Sequence, residues 1–158
     1  MISQKAKYAF KALVLLARCG MGTSLQTDDI AAQAAIPRKF LEQILLQLKA
    51  NGLVESRRGR GGGYLLVADP AKITVSQVLR IVDGPIAPLA CISRTAYSRC
   101  KDCTDEAQCG VRRLFAETYA ATLARMEKTT LAAALDGKLS TGPVAPSAAH
   151  APELADAI

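Results

Sequence analysis

Four cysteines stand within nineteen residues, at Cys91, Cys100, Cys103 and Cys109, with eight, two and five residues between them. Thiolates are soft ligands that suit zinc and iron–sulfur clusters, and neighbouring thiols can also carry redox chemistry. A structural zinc site usually shows two paired knuckles. Here only Cys100-x2-Cys103 forms such a pair, and Lys101, Arg94 and Arg99 would offset the charge of nearby thiolates. Three chemistries therefore stand open: an iron–sulfur cluster, zinc or another metal, and thiol or sulfide redox chemistry. The fifth cysteine, Cys19, lies at the end of the first predicted helix and reads as a small core residue. Nothing points to catalysis. The single histidine, His150, lies in the C-terminal tail, and no Ser/Cys–base pair or coupled carboxylates stand out.

The elements that must position these cysteines can be read in order. Ser3 to about Arg18 carries Ala9, Leu13, Leu16 and Ala17 at helical spacing. After a Gly20–Ser24 loop, Thr27 is the predicted N-cap of a short helix with Asp28 and Asp29 in its first turn. Ile36-Pro37 ends that helix and opens a third, running to about Asn51, with Phe40, Leu41, Ile44, Leu45 and Leu48 expected inward and Gly52 at its C-terminal end. Two short helices joined by a tight turn make a helix-turn-helix, with Ala31, Ala32, Ala34 and Ala35 small enough for a close crossing. Leu53–Ser56 and Tyr64–Val67 read as strands around Arg57-Arg58-Gly59-Arg60-Gly61-Gly62-Gly63, a basic hairpin tip or wing. Without G-K-[ST] or a helix directly after it, that loop is not a phosphate-binding P-loop. Thr74-Val75-Ser76-Gln77 is a capping box opening a helix through Val82, which Asp83-Gly84-Pro85 ends. A loop from 85 holds most of the cysteines. Thr104 is the predicted cap of a long helix to about Lys128, on which Val111, Phe115, Tyr119, Thr122 and Met126 form an apolar stripe widened by Leu114 and Leu123. With little core left beside it, that stripe should meet a second copy of the chain. A short Leu131–Leu135 segment follows, and 136–158 reads as a disordered tail.

Charge agrees with this plan. Residues 1–60 hold ten Lys/Arg against four Asp/Glu and so carry the whole +6 net charge of the 158-residue chain. A concentrated basic patch favours a polyanionic partner. At the N-terminus of the third helix stand Arg38 and Lys39, followed by Glu42 and Gln43. This is the end of a recognition helix that meets base edges. In the wing, Arg57, Arg58 and Arg60 suit the negative minor groove. Neither a signal peptide nor a bilayer-spanning run is legible, so a cytoplasmic protein without membrane attachment is expected. In that reducing compartment the cysteines are not read as a disulfide framework.

Phe40-Leu41-Glu42-Gln43-Ile44, Asn51-Gly52-Leu53-Val54, Arg58-Gly59-Arg60-Gly61-Gly62-Gly63-Tyr64 and Val82-Asp83-Gly84-Pro85 ahead of the cysteines resemble the Rrf-type winged helix-turn-helix transcription regulators. The resemblance covers about residues 1–135. It implies a mainly α fold with a small β-hairpin wing and a long dimerisation helix. The divisions expected are 1–84 for the winged domain, 85–109 for a cysteine-rich sensor loop, 110–135 for the dimerisation helix and 136–158 for the tail. It further implies a homodimer on a pseudo-palindromic double-stranded operator, with Glu42 and Gln43 at base edges and Arg58 in the minor groove. The dimer contacts expected are Val111, Phe115, Tyr119 and Met126. The uneven cysteine spacing is similar to the three-cysteine loop of cluster-binding members, which implies a 2Fe–2S or 4Fe–4S cluster on Cys91, Cys100, Cys103 and Cys109. The chain departs from that pattern by its fourth cysteine and by Arg112, where some members carry a histidine. Either all four cysteines ligate, or three do with Glu106, Asp105 or an exogenous group. The resemblance makes the chain a regulator, of repressor type, of iron, iron–sulfur, redox or nitrosative status. The alternatives are a winged-helix regulator using thiol or zinc chemistry, or an iron–sulfur carrier, which would not need the wing.

Overall fold

A computed structural model describes residues 2–137. Six helices and one hairpin follow each other: α1 (Gln4–Arg18), α2 (Thr27–Ala34), α3 (Arg38–Ala50), β1 (Val54–Arg57), β2 (Gly63–Leu66), α4 (Val75–Asp83), α5 (Gly110–Lys128) and α6 (Leu131–Leu135). A single 3-10 turn, Ala90–Ile92, interrupts the segment between α4 and α5. The expected tail and His150 lie outside the described residues.

Helix α1 is the central post. The Ser3 side chain accepts from the Ala6 amide to cap it, and Ala6, Ala9, Ala12, Leu13 and Leu16 are fully buried along one face. Against that face pack α2, α3 and α4, contributing Ile30, Leu41, Ile44, Leu45, Leu48 and Val78. Three details differ from the sequence reading. Phe40 is not inward but 55% exposed, because α3 already fills its core face with Leu41, Ile44, Leu45 and Leu48. Phe40 instead meets Tyr8 in a tilted pair, with ring centroids 6.4 Å apart and planes at 59°. Gln26, not Thr27, caps α2, and makes no side-chain cap bond. Cys19 is the half-exposed C-cap of α1 rather than a core residue.

The turn between α2 and α3 is made by Ala35 in the left-handed conformation, at φ 50°. Its amide and that of Ile36 return to the last α2 carbonyls, and Pro37 then caps α3. β1 and β2 pair antiparallel, with Val54 opposite Leu66 and Arg57 opposite Gly63. The hairpin root is pinned by a third chain segment: Leu25 and Tyr64 exchange both backbone hydrogen bonds, at 2.9 and 2.8 Å. This crossing leaves no room for a side chain at Gly63, where a Cβ would fall 2.0 Å from the Leu25 carbonyl oxygen.

Helix α5 begins later than the sequence implies. Thr104 does not cap it; Cys109 does, its sulfur accepting from the Arg112 amide at 3.5 Å. The acids of 105–106 thus lie in the preceding turns. As expected, the long helix ends at Lys128, with Thr129 as its C-cap, and a short helix follows within the 110–135 span. Short α6 then returns to the winged domain: Leu131 N donates to Ile73 O (2.8 Å), Ala132 N to Pro70 O (3.0 Å), and Leu131 is buried.

Candidate functional site

Two groups of residues stand out. The first surrounds α3 and the hairpin. Lys39, Glu42 and Gln43 are exposed on α3, as are Arg57, Arg58 and Arg60 on the hairpin. They do not share one condition. Arg38 is engaged twice, by Asp28 of α2 at 2.6 Å and by Glu42 at 2.9 Å, and both carboxylates raise its already high pKa, Glu42 more than Asp28. Arg57 donates to the Gly22 carbonyl at 3.3 Å, and Ser24 Oγ donates to Gly61 O at 2.7 Å, so the loop before α2 holds the hairpin from one side. Lys49 reaches Ser56 Oγ at 2.6 Å from the other. Lys39, Arg58 and Arg60 form no ion pair among the described residues. They are the cations left free for a polyanion. Leu46, which the sequence reading did not single out, lies on the same outer side of α3 and is 59% exposed.

The second group is the cysteine segment. Cys91, Cys100, Cys103 and Cys109 all line one cavity of about 310 Å³, together with Leu89, Asp102, Val111 and Arg112. Backbone bonds draw it together. Ser98 N donates to Ala90 O at 3.2 Å, bringing the approach to Cys100 beside Cys91. The Arg99 guanidinium spans the carbonyls of Cys103 and Thr104, at 3.0 and 2.8 Å. The thiols lie two by two. Cys91 beside Cys100 pushes the Cys100 thiol upward in pKa, assisted by partial desolvation; desolvation first, and then Cys109, does the same to Cys103. All five cysteines are free thiols.

This donor set has the softness that zinc or an iron–sulfur cluster requires. Among the described residues no three Cys, His, Asp or Glu side chains stand together at metal-holding separation, so a metal centre needs the two pairs to close on each other. The acids considered as a fourth ligand both make hydrogen bonds within the segment. Glu106 accepts from the Tyr97 hydroxyl at 3.0 Å through either oxygen, which raises the Tyr97 pKa, and it faces Arg112 at 3.9 Å. Asp105 accepts from the Ala107 amide at 2.8 Å.

The α5 stripe separates into two faces. Leu123 is buried, Met126 packs on the core of its own chain, and Tyr119 lines a groove with Ile92, Arg94 and Arg112. Val111, Leu114 and Phe115 point away, 53%, 74% and 45% exposed. The sequence stripe therefore mixed inner residues, Tyr119, Leu123 and Met126, with outer ones, Val111, Leu114, Phe115 and Thr122.

Comparison with known proteins agrees with this architecture. Residues 2–137 match the profile of the Rrf2 family, described as "Iron-dependent Transcriptional regulator". A Rhodobacter capsulatus protein named as rrf2-like and of HTH type is 47% identical over 134 residues, 83% of this chain and 89% of its own length. The regulator IscR of Escherichia coli O1:K1 is 36% identical over 90 residues, 57% of this chain and 56% of that one. Among solved structures, CymR of B. subtilis, titled the global cysteine regulator, superposes with a TM-score of 0.70 at 28% identity, covering 89% of this chain and 98% of that one.

Proposed function

Because the chain belongs to the Rrf2 family of transcriptional regulators, we propose that it is a homodimeric repressor that reads a pseudo-palindromic operator and answers to iron or redox status through its cysteines. Family membership carries DNA binding and regulation of transcription, and excludes an enzyme as the best reading. The finer assignments are ours. Each protomer presents α3 to a major groove, with Lys39, Glu42 and Gln43 at the base edges, and its hairpin to the flanking minor groove, with Arg58 and Arg60 at the tip. Arg57 and Arg38 serve these surfaces from behind, since both side chains are already bonded within the protein. The outer row of α5, beginning with Val111, Leu114 and Phe115, is the self-association seam. Tyr119 and Met126 support it from the inner side.

The observation that carries the sensing role is the convergence of four thiols on one cavity, lined by the cysteine segment and the start of α5. We assign Cys91, Cys100, Cys103 and Cys109 as ligands of an iron–sulfur cluster. Glu106 is already held by Tyr97 and Arg112, and four thiols complete a ligand set without an acid. Such a cluster supplies a charge and an oxidation state that oxygen, iron supply or nitric oxide can alter. Cys109 is both a ligand in this reading and the N-cap of α5, so ligation there bears directly on the setting of that helix. Such a regulator works in the cytoplasm, where thiols stay reduced. The test is anaerobic purification from iron-replete cells, with iron and sulfide assays, absorption spectra and duplex titrations of the same sample. A brown protein with iron and sulfide, whose operator affinity changes on cluster loss, is expected. A colourless, iron-free protein that still binds the operator removes the cluster and leaves the DNA reading in place; zinc content or thiol titration then selects between the alternatives.

A further inference from the structure

Arg38 is the first residue of α3 and sits between two carboxylates, Asp28 Oδ1 at 2.6 Å through NH1 and Glu42 Oε1 at 2.9 Å through Nε. This arrangement is not one that stabilises a helix. A cation in the first turn faces the positive end of the helix dipole, and an i,i+4 pair is the weaker kind when the cation precedes the anion. Arg38 and Glu42 also remain 60% and 50% exposed, where ion pairs contribute little. Its effect is on direction. The planar guanidinium joins the two helices of the helix-turn-helix and takes one oxygen of Glu42, leaving Oε2 without a partner among the described residues. A carboxylate brought against a phosphate backbone is repelled; one already paired to a guanidinium is much less so.

We propose that Arg38, braced by Asp28, is a positioning and specificity-determining residue that aims the free oxygen of Glu42 at a base edge, where it accepts from a cytosine amino group. This inference rests on the DNA reading above. In it Arg38 touches no phosphate, although its sequence position at the start of a basic recognition helix invites that role. Asp28 of α2 then shapes base choice from a residue that meets no DNA.

The experiment is selection from a randomised duplex pool by the full chain, in wild-type, Arg38→Gln, Arg38→Lys, Asp28→Asn and Glu42→Gln forms. Affinities for a selected and an unrelated duplex are then measured across salt concentrations. Wild type should enrich a C·G pair at one position of each half-site. Arg38→Gln and Glu42→Gln should lose that preference and about tenfold in affinity for the selected duplex. The loss should fall on the ratio of the two affinities, and the salt slope should change by less than the unit that a lost phosphate contact gives. Asp28→Asn should shift the preference in the same direction by less. Arg38→Lys, which keeps the charge and loses the fork, should not restore it fully. If Arg38→Gln weakens all duplexes alike and lowers the salt slope by about one, Arg38 is a phosphate contact and the proposal is wrong. A preference kept by Arg38→Gln and lost by Glu42→Gln would also overturn it. A wild-type chain that enriches no sequence at all overturns the DNA reading itself, and the inference with it.

Discussion

Three sites, an arginine, a glycine and a pair of cysteines, decide most of what can be measured at the residue scale. Arg58, at the hairpin tip, forms no ion pair among the described residues, so Arg58→Ala should cost about 1–3 kcal/mol of operator affinity if it enters a groove. Fluorescence titration checks this, and equal affinities would remove the wing contact. Gly63 is different, since a Cβ there meets the Leu25 carbonyl at 2.0 Å and its φ of 140° disfavours any other residue. Gly63→Ala should destabilise the fold by at least the ~1–3 kcal/mol of a strained backbone, read as a lowered denaturation midpoint. The third concerns protons. The Cys91 thiol and partial desolvation raise the pKa of Cys100, and partial desolvation and Cys109, with Arg99 opposing, raise that of Cys103, which keeps both thiols protonated near neutral pH. A raised pKa stabilises the protonated folded form, so the metal-free fold loses this contribution as pH rises through the thiol range. Metal uptake must release these protons. Cobalt or zinc should therefore load the cysteine site more tightly at pH 8.5 than at pH 6.5, by direct titration. Pairings of this kind were invisible in the sequence. The residues' types and spacing could be read there, but the exchange of partners between Asp28, Arg38 and Glu42 depends on how α2 crosses α3.

At the scale of elements, the helical periodicities identified α1, α3 and α4 almost to the residue, because each has one buried face and clear ends. Thr74 caps α4 as its capping-box pattern implies, accepting from Gln77 N at 3.2 Å. The start of α5 was missed for a physical reason: Thr104-Asp105-Glu106 is a good capping sequence, but its acids are engaged in the cysteine segment by Tyr97, Arg112 and Ala107. The cap passes to Cys109, an atypical capping residue. The α5 stripe was legible as apolar but not as two rows, since both are spaced by three and four residues. The rows give a paired prediction. Leu123→Ala removes a side chain that is 1% exposed and should destabilise the protomer by about 2–5 kcal/mol. Leu114→Glu, at 74% exposure, should leave protomer stability within about 0.5 kcal/mol while weakening self-association. Thermal unfolding and sedimentation separate the two. A Leu114→Glu protein that still sediments as wild type would place the seam elsewhere.

For the whole molecule, all of the net positive charge belongs to the first 60 residues, the part that folds into α1–α3 and the front of the hairpin. Lys39, Arg58 and Arg60, doubled by a second protomer, should give a log–log salt slope for duplex binding steeper than about −3. A slope near zero would mean that these cations face solvent in the complex. The return of the chain at α6 has a further consequence. Leu131 and Ala132 tie the end of α5 to Ile73 and Pro70, and Arg80 holds Glu127 at 3.3 Å, so that end cannot move without the winged domain. α4, α5 and α6 thus enclose a frame with three stiff sides, and the cysteine segment is its fourth. A frame with one compliant side has few ways to change shape, and each pivots about the pinned corner. Shortening or lengthening the cysteine side by an ångström turns a nineteen-residue strut as one piece about its pinned end, so a small chemical event at Cys109 would reset the direction of the whole helix before any partner is involved.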